Sequence, residues 1–124
     1  MESIDILLID DDEGVNFLNK FLLNDSKVPA TISVALNGEM ALKLIKENHH
    51  CPDVIFLDIN MPVMDGFEFL ESFKEYSEYY SKTKVYMLTS SLRESDRARA
   101  SAYSCVVDYL EKPLSEDMIK AIFF

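Results

Sequence analysis

The sequence predicts an α/β fold, a doubly wound five-stranded parallel sheet with helices on both faces. Three observations lead there. Five short apolar runs, rich in β-branched residues, recur along the 124 residues. Longer segments with apolar residues at helical spacing separate them. The breaks carry turn chemistry: NDSKVP at 24–29, Asn37-Gly38, Asp65-Gly66 and Lys112-Pro113.

The first strand is Ile4 to Ile9, broken only by Asp5. Val15, Leu18, Phe21 and Leu22 then mark one face of a helix from about Glu13 to Asn24. Thr31 to Ala35 (TISVA) is the second strand, and Met40, Ala41, Leu44 and Ile45 mark the second helix. Val54 to Leu57 (VIFL) is the third strand, followed by a helix with Phe67, Leu70, Phe73 and Tyr76 on its apolar face. Val85 to Leu88 (VYML) is the fourth strand, and Ala98, Ala102 and Tyr103 mark a weaker fourth helix. Val106 to Leu110 (VVDYL) is the fifth strand, and Met118, Ile119 and Ile122 mark the last helix. Ser115 is a fitting cap for that helix, with Glu116 and Asp117 at the positive end of its dipole. Near-continuous apolar strands suit burial on both faces, and strand–helix alternation implies right-handed crossovers. One domain spanning residues 1–124 is expected, long enough to build its own core without disulfide staples.

Composition narrows the function. There are 22 acidic against 12 basic side chains, a formal net charge of -10. Such a surface repels phosphate backbones, so no nucleic acid is expected as a partner; cations and basic protein patches suit it. Cys51 and Cys105 show no metal or CxxC spacing and read as reduced thiols. The opening MESIDILLID lacks a basic n-region, and no apolar run approaches the ~18 residues of a membrane span. A cytoplasmic protein without membrane contact is the expectation.

In an open parallel sheet, ligands bind beyond the carboxyl ends of the strands. Here the first strand ends at Asp10 and Asp11, the third at Asp58 followed by Ile59-Asn60-Met61-Pro62. The fourth ends at Thr89-Ser90-Ser91 and the fifth at Lys112-Pro113. Three carboxylates, a hydroxyl and an ammonium would share one rim. Carboxylates this close repel where water is scarce, and a hard cation such as Mg²⁺ relieves that repulsion through oxygen ligands. Beside a carboxylate nucleophile, such a cation also neutralises incoming phosphoryl oxygens. The rim therefore reads as a metal nest for phosphoryl transfer.

LLIDDDE, LDINMPVMDG, MLTSS and the final EKP resemble the receiver domain of two-component response regulators, over about Ile4 to Phe124. The resemblance implies a (βα)5 flavodoxin-like three-layer sandwich with strand order 2-1-3-4-5. It implies Asp58 as phosphoacceptor, with Mg²⁺ held by Asp10, Asp11, Asp58 and the backbone carbonyl of Asn60. Thr89 would bind the phosphoryl group, Lys112 would pair with it, and Asp12 would cap the first helix. Tyr109 stands at the place of the family's switch aromatic, and the Lys112–Pro113 bond is expected cis. Asn60 and Ser91 would flank the path of attack and tune the lifetime of the phosphoryl group. The implied partners are a histidine kinase or phosphotransfer protein and a downstream protein target; phosphorylation-dependent dimerisation stays open. The implied activity is phosphoryl acceptance with slow self-dephosphorylation, not turnover of a separate substrate.

Two other readings compete. A haloacid-dehalogenase-type phosphatase also uses an aspartate at a strand end, and Asp10-Asp11-Asp12 satisfies its DxD pattern, but it leaves LDINMPVMDG unexplained. A pseudo-receiver would bind partners without phosphate, yet such proteins usually lack one of the acids, the Thr or the Lys, and all stand here. His49 and His50 read as surface histidines, and Tyr76, Tyr79 and Tyr80 as core packing or a small partner patch. Arg93, Arg97 and Arg99 read as a solvated face or a contact for an acidic partner.

Overall fold

A computed structural model describes residues 3–48 and 51–124. Its elements are β1 (Ile4–Ile9), α1 (Glu13–Asp25), β2 (Ala30–Ala35), α2 (Gly38–Asn48), β3 (Val54–Leu57) and α3 (Gly66–Phe73). There follow α4 (Ser77–Lys82), β4 (Lys84–Thr89), α5 (Glu94–Ser101), β5 (Val106–Glu111) and α6 (Glu116–Phe123). The strands form one sheet in the order β2-β1-β3-β4-β5, every pair parallel. This is the expected flavodoxin-like order.

Side-chain alternation along the strands makes two cores. Leu7, Ile9, Ile55, Leu57, Val85 and Met87 face one side, with Ala41, Ile45, Phe69, Phe73 and Ala100 from the helices. Ile6, Leu8, Val54, Phe56, Tyr86 and Leu88 face the other, with Leu23 of α1 and Ile119 of α6. The layers are therefore helix, sheet, helix. Burial on both faces holds for most of β1 and for β3 and β4. It fails for the edges: β2 and β5 each have one neighbour, and Val34 and Val107 are exposed.

Two helix readings need correction. On α1 the expected apolar face turns inward only in part: Leu18 and Phe21 are exposed, Val15 and Leu22 are half-buried with Leu22 against the core, and Asn16, Asn19 and Leu23 are buried. The cause is local, because Asn16 Nδ2 donates to the Asp10 carbonyl at 2.8 Å and must face inward. The third helix is also shorter than its apolar spacing suggests. It ends at Phe73, and α4 begins at Ser77, leaving Tyr76 between them. No glycine or proline marks that break. Tyr76, Tyr79 and Tyr80 still pack against the core, Tyr80 edge-on to Phe73 at 5.9 Å. Phe123 packs beside Phe56 at 6.4 Å, whereas Phe124 is exposed.

Smaller features follow the expected chemistry. Asp12 caps α1, its Oδ1 accepting the N–H groups of Gly14 and Val15. Ser115 caps α6 through the Met118 N–H. The Lys112–Pro113 bond is cis. Both cysteines are free thiols, and burial pushes Cys105 up to about 11, so it stays protonated. His49 and His50 lie outside the described residues. Among those described, no helix is long and apolar enough to cross a membrane.

Candidate functional site

The register levels the strand ends. Ile9 stands opposite both Ala35 and Leu57, and Leu57 opposite Met87. The ladder then runs one rung further: the Asp10 N–H donates to the Ala35 carbonyl at 3.1 Å, and the Asp58 N–H to the Ile9 carbonyl at 3.0 Å. Asp10 and Asp58 therefore leave neighbouring strands at one height, and both are buried. Behind Asp58 the chain turns back sharply, with the Gly66 N–H on the Ile59 carbonyl at 2.8 Å. A Cβ at Gly66 would lie 2.4 Å from the Asp58 carbonyl oxygen, so only glycine fits there.

Lys112 closes the site. Its backbone N–H donates to the Thr89 carbonyl at 3.0 Å, which ties the end of β5 to the end of β4. Its Nζ lies 2.6 Å from Asp10 Oδ2 and 3.1 Å from Asp58 Oδ2. The other oxygens are also engaged: Asp10 Oδ1 accepts the Asp12 N–H at 2.9 Å, and Asp58 Oδ1 accepts the Ile59 N–H at 2.8 Å. Asp11 completes the group from an exposed position. Asp10, Asp11 and Asp58 each bring a carboxylate oxygen within 4.8 Å of the others.

The electrostatics follow from this crowding. Burial, and then the charge of Asp10, push the Asp58 carboxyl up from its ordinary value, against the pull of Lys112. Burial alone would lower Lys112, but its bonds to Asp10 and Asp58 outweigh that and raise it, so the ammonium persists. One ammonium among three carboxylates still leaves negative charge in excess. An all-oxygen donor set with surplus negative charge suits a hard divalent cation.

Thr89 and Tyr109 stand one step back from the carboxylates. Thr89 is fully buried at the end of β4, and its Oγ1 accepts the Ser91 N–H at 3.2 Å. Tyr109 is half-buried on β5; its hydroxyl donates to the Ser91 carbonyl at 3.0 Å, and the Arg97 guanidinium lies 4.8 Å over its ring. Asn60 follows Asp58 by two residues in the turn after β3, with its side chain exposed.

Residues 6–123 match the response regulator receiver domain. The chain belongs to that family. A two-component response regulator from Cytophaga hutchinsonii superposes with a TM-score of 0.90 at 34% identity, covering 98% of this chain and 96% of that one. Protein PilG of Pseudomonas aeruginosa is 33% identical over 122 residues, 98% of this chain and 86% of PilG. Response regulator Rre1 of Synechocystis is 32% identical over 121 residues, which are 98% of this chain but 50% of Rre1. The chain thus spans about half the length of Rre1. Receiver domains accept phosphoryl groups, generally bind Mg²⁺ at an acidic pocket, and work with histidine kinases or phosphotransfer proteins. This receiver domain has the aspartate cluster that such a pocket needs.

Asn16 and Asp96 escaped the sequence reading, and so did the place of Arg97 in the site. Asn16 holds the turn after β1 through the Asp10 carbonyl, and Asp96 accepts the Ser91 hydroxyl at 2.6 Å. Arg97 covers Tyr109. The signal for Asn16 was present: Asn16 and Asn19 stand three apart on a helix otherwise apolar around them. Nothing local to Asp96 or Arg97 distinguishes them from a solvated helical face.

Proposed function

We propose that Asp58 is the acceptor of a phosphoryl group from a phosphohistidine protein, in a Mg²⁺-dependent transfer that switches a protein-binding face. The observation that carries this is the convergence of Asp10, Asp11 and Asp58, with Lys112 bridging two of them at 2.6 and 3.1 Å. An Asp58 oxygen bonds to phosphorus in line with the leaving nitrogen, and the phosphorus–nitrogen bond breaks with its electron pair going to the histidine. Asp10, Asp11, Asp58 and the Asn60 carbonyl would hold Mg²⁺, which would neutralise charge on the phosphoryl oxygens. Lys112 gives up its contact with Asp58 and pairs with the phosphoryl group instead, and the Thr89 hydroxyl binds another of its oxygens. Drawing Thr89 inward takes its oxygen from the Ser91 N–H. Tyr109, bonded to the same residue, then shifts, and the face built from α5, β5 and α6 presents a different surface to the downstream protein. Water later removes the phosphoryl group, which resets the domain.

Intact-mass analysis after incubation with acetyl phosphate tests this, run with Mg²⁺, with EDTA, and beside Asp58→Ala. The expected result is a gain of one phosphoryl group that needs Mg²⁺ and vanishes in the variant. No gain from acetyl phosphate or from a phosphohistidine donor would favour a pseudo-receiver that works by binding alone.

A further inference from the structure

Ser91 is a junction whose three polar groups are all engaged. Its N–H donates to Thr89 Oγ1 at 3.2 Å, and its carbonyl accepts the Tyr109 hydroxyl at 3.0 Å. Its hydroxyl donates to Asp96 Oδ2 at 2.6 Å and accepts the Arg93 N–H at 3.4 Å. Ser91 therefore joins the hydroxyl that binds the phosphoryl group to the aromatic ring that carries the signal. Of these four bonds, only the one to Asp96 is charge-assisted, and its length belongs to the strong class.

Asp96 is well placed to hold this junction. It sits half-buried in the first turn of α5, its own N–H on the Arg93 carbonyl at 3.1 Å. The next residue is Arg97, which covers the Tyr109 ring. Adjacent positions of α5 thus grip both Ser91 and its partner Tyr109. The helix has little else to fix it there, since Ala100 is its only buried residue.

We infer that Asp96 is a positioning residue: its carboxylate fixes Ser91, and through Ser91 sets the Thr89 hydroxyl, the Tyr109 ring and the lifetime of the phosphoryl group on Asp58. This rests on the reading of Asp58 as acceptor. In hydrolysis the oxygen of water bonds to phosphorus and the bond from phosphorus to the Asp58 oxygen breaks. The carboxylate keeps the electron pair, and phosphate leaves with the protons of the water. With Asp96 in place the Ser91 hydroxyl is turned toward α5 and the 90–93 turn is closed. Without it, the turn loosens and water reaches phosphorus more readily.

The test labels wild type, Asp96→Ala, Asp96→Asn, Ser91→Ala and the Ser91→Ala/Asp96→Ala double variant with acetyl phosphate and Mg²⁺. Decay is followed by intact mass once the donor is removed, and the Tyr109 ring is followed by NMR in ¹³C-tyrosine-labelled protein. Asp96→Ala should shorten the half-life by about tenfold or more, the fold-change that a hydrogen bond to a charged group is worth. Asp96→Asn, whose amide oxygen still accepts but without the charge, should fall between wild type and Asp96→Ala. Asp96→Ala should add nothing in the Ser91→Ala background, because the two residues share one bond. The Tyr109 resonance should move in Asp96→Ala and move less in Asp96→Asn. Equal half-lives in wild type and Asp96→Ala, or equal changes in both Asp96 variants, would overturn the inference. If wild type takes no phosphoryl group, the reading of Asp58 fails separately. The Tyr109 resonance in unphosphorylated protein then decides the positioning role, and an unmoved resonance in Asp96→Ala overturns it.

Discussion

Helices α3 and α5 have the same length and flank the same site, yet they are held in opposite ways. In α3, Gly66, Phe67, Phe69, Leu70 and Phe73 are buried, and a reciprocal capping box joins Asp65 and Glu68 at its start. In α5 only Ala100 is buried, and Arg93 offers no side-chain cap. Its remaining anchors are polar or ring contacts: Ser91 to Asp96, Arg97 over Tyr109 and Arg99 over Phe67. The half of the site that carries Asp58 is therefore fixed by apolar packing. The half that carries Thr89 and Tyr109 is held by a few bonds that can be exchanged. Segments with little apolar burial open at low cost, which is what a switch requires.

That contrast breaks most visibly in the core of α3. Phe73 is fully buried and stacks on Phe69 at 5.3 Å, so Phe73→Ala should cost about 3–5 kcal/mol in urea unfolding. The matching change on α5, Ala98→Gly at an exposed position, should cost about 1 kcal/mol or less. Comparable losses at the two sites would remove the distinction between the halves.

Gly66→Ala sharpens the same point at the start of α3. The added Cβ meets the Asp58 carbonyl oxygen and the Ile59 Cα, both backbone, so the chain must shift. A loss of about 1–3 kcal/mol is expected, with slower phosphorylation by acetyl phosphate because the shift falls on Asp58 itself. Unchanged stability and labelling would show that this turn is softer than its contacts imply.

The smallest effect is electrostatic. Burial and the Asp10 charge make Asp58 harder to ionise when folded than when unfolded. The folded state therefore holds this proton more tightly, and that stabilisation is full only below the ordinary value of 3.8. It is lost as pH rises through the raised folded value. Without divalent cations, Asp58→Asn should melt higher than wild type at pH 7, and the gap should close as pH falls toward 4. A gap that stays constant with pH would mean that the Asp58 charge carries no such strain.

The same contrast explains what could be read in advance. The central strands were plain because a strand buried on both faces is a continuous apolar run, and VIFL is β3 to the residue. The site aspartates, Thr89 and Lys112 were plain because each ends a strand, where an open sheet places its ligands. Edge exposure was not, since VVDYL reads alike whether it has one neighbour or two. Helix α1 misled because Leu18 and Phe21 face outward, while Asn16 turns inward to serve a backbone carbonyl formed by another segment. The α3–α4 break carried no turn residue. The contacts of Asp96 and Arg97 were invisible for a similar reason, as their partners Ser91 and Tyr109 meet them only through folding.

The most direct measurement locates the phosphoryl group by residue. Borohydride reduction of protein labelled with acetyl phosphate and Mg²⁺ converts an aspartyl phosphate to homoserine, which peptide mass spectrometry then places. The account predicts homoserine at position 58 alone, and none when Mg²⁺ is chelated. Homoserine at position 10 or 11 instead would contradict it, because those carboxylates would then be the nucleophile and not the metal nest beside it.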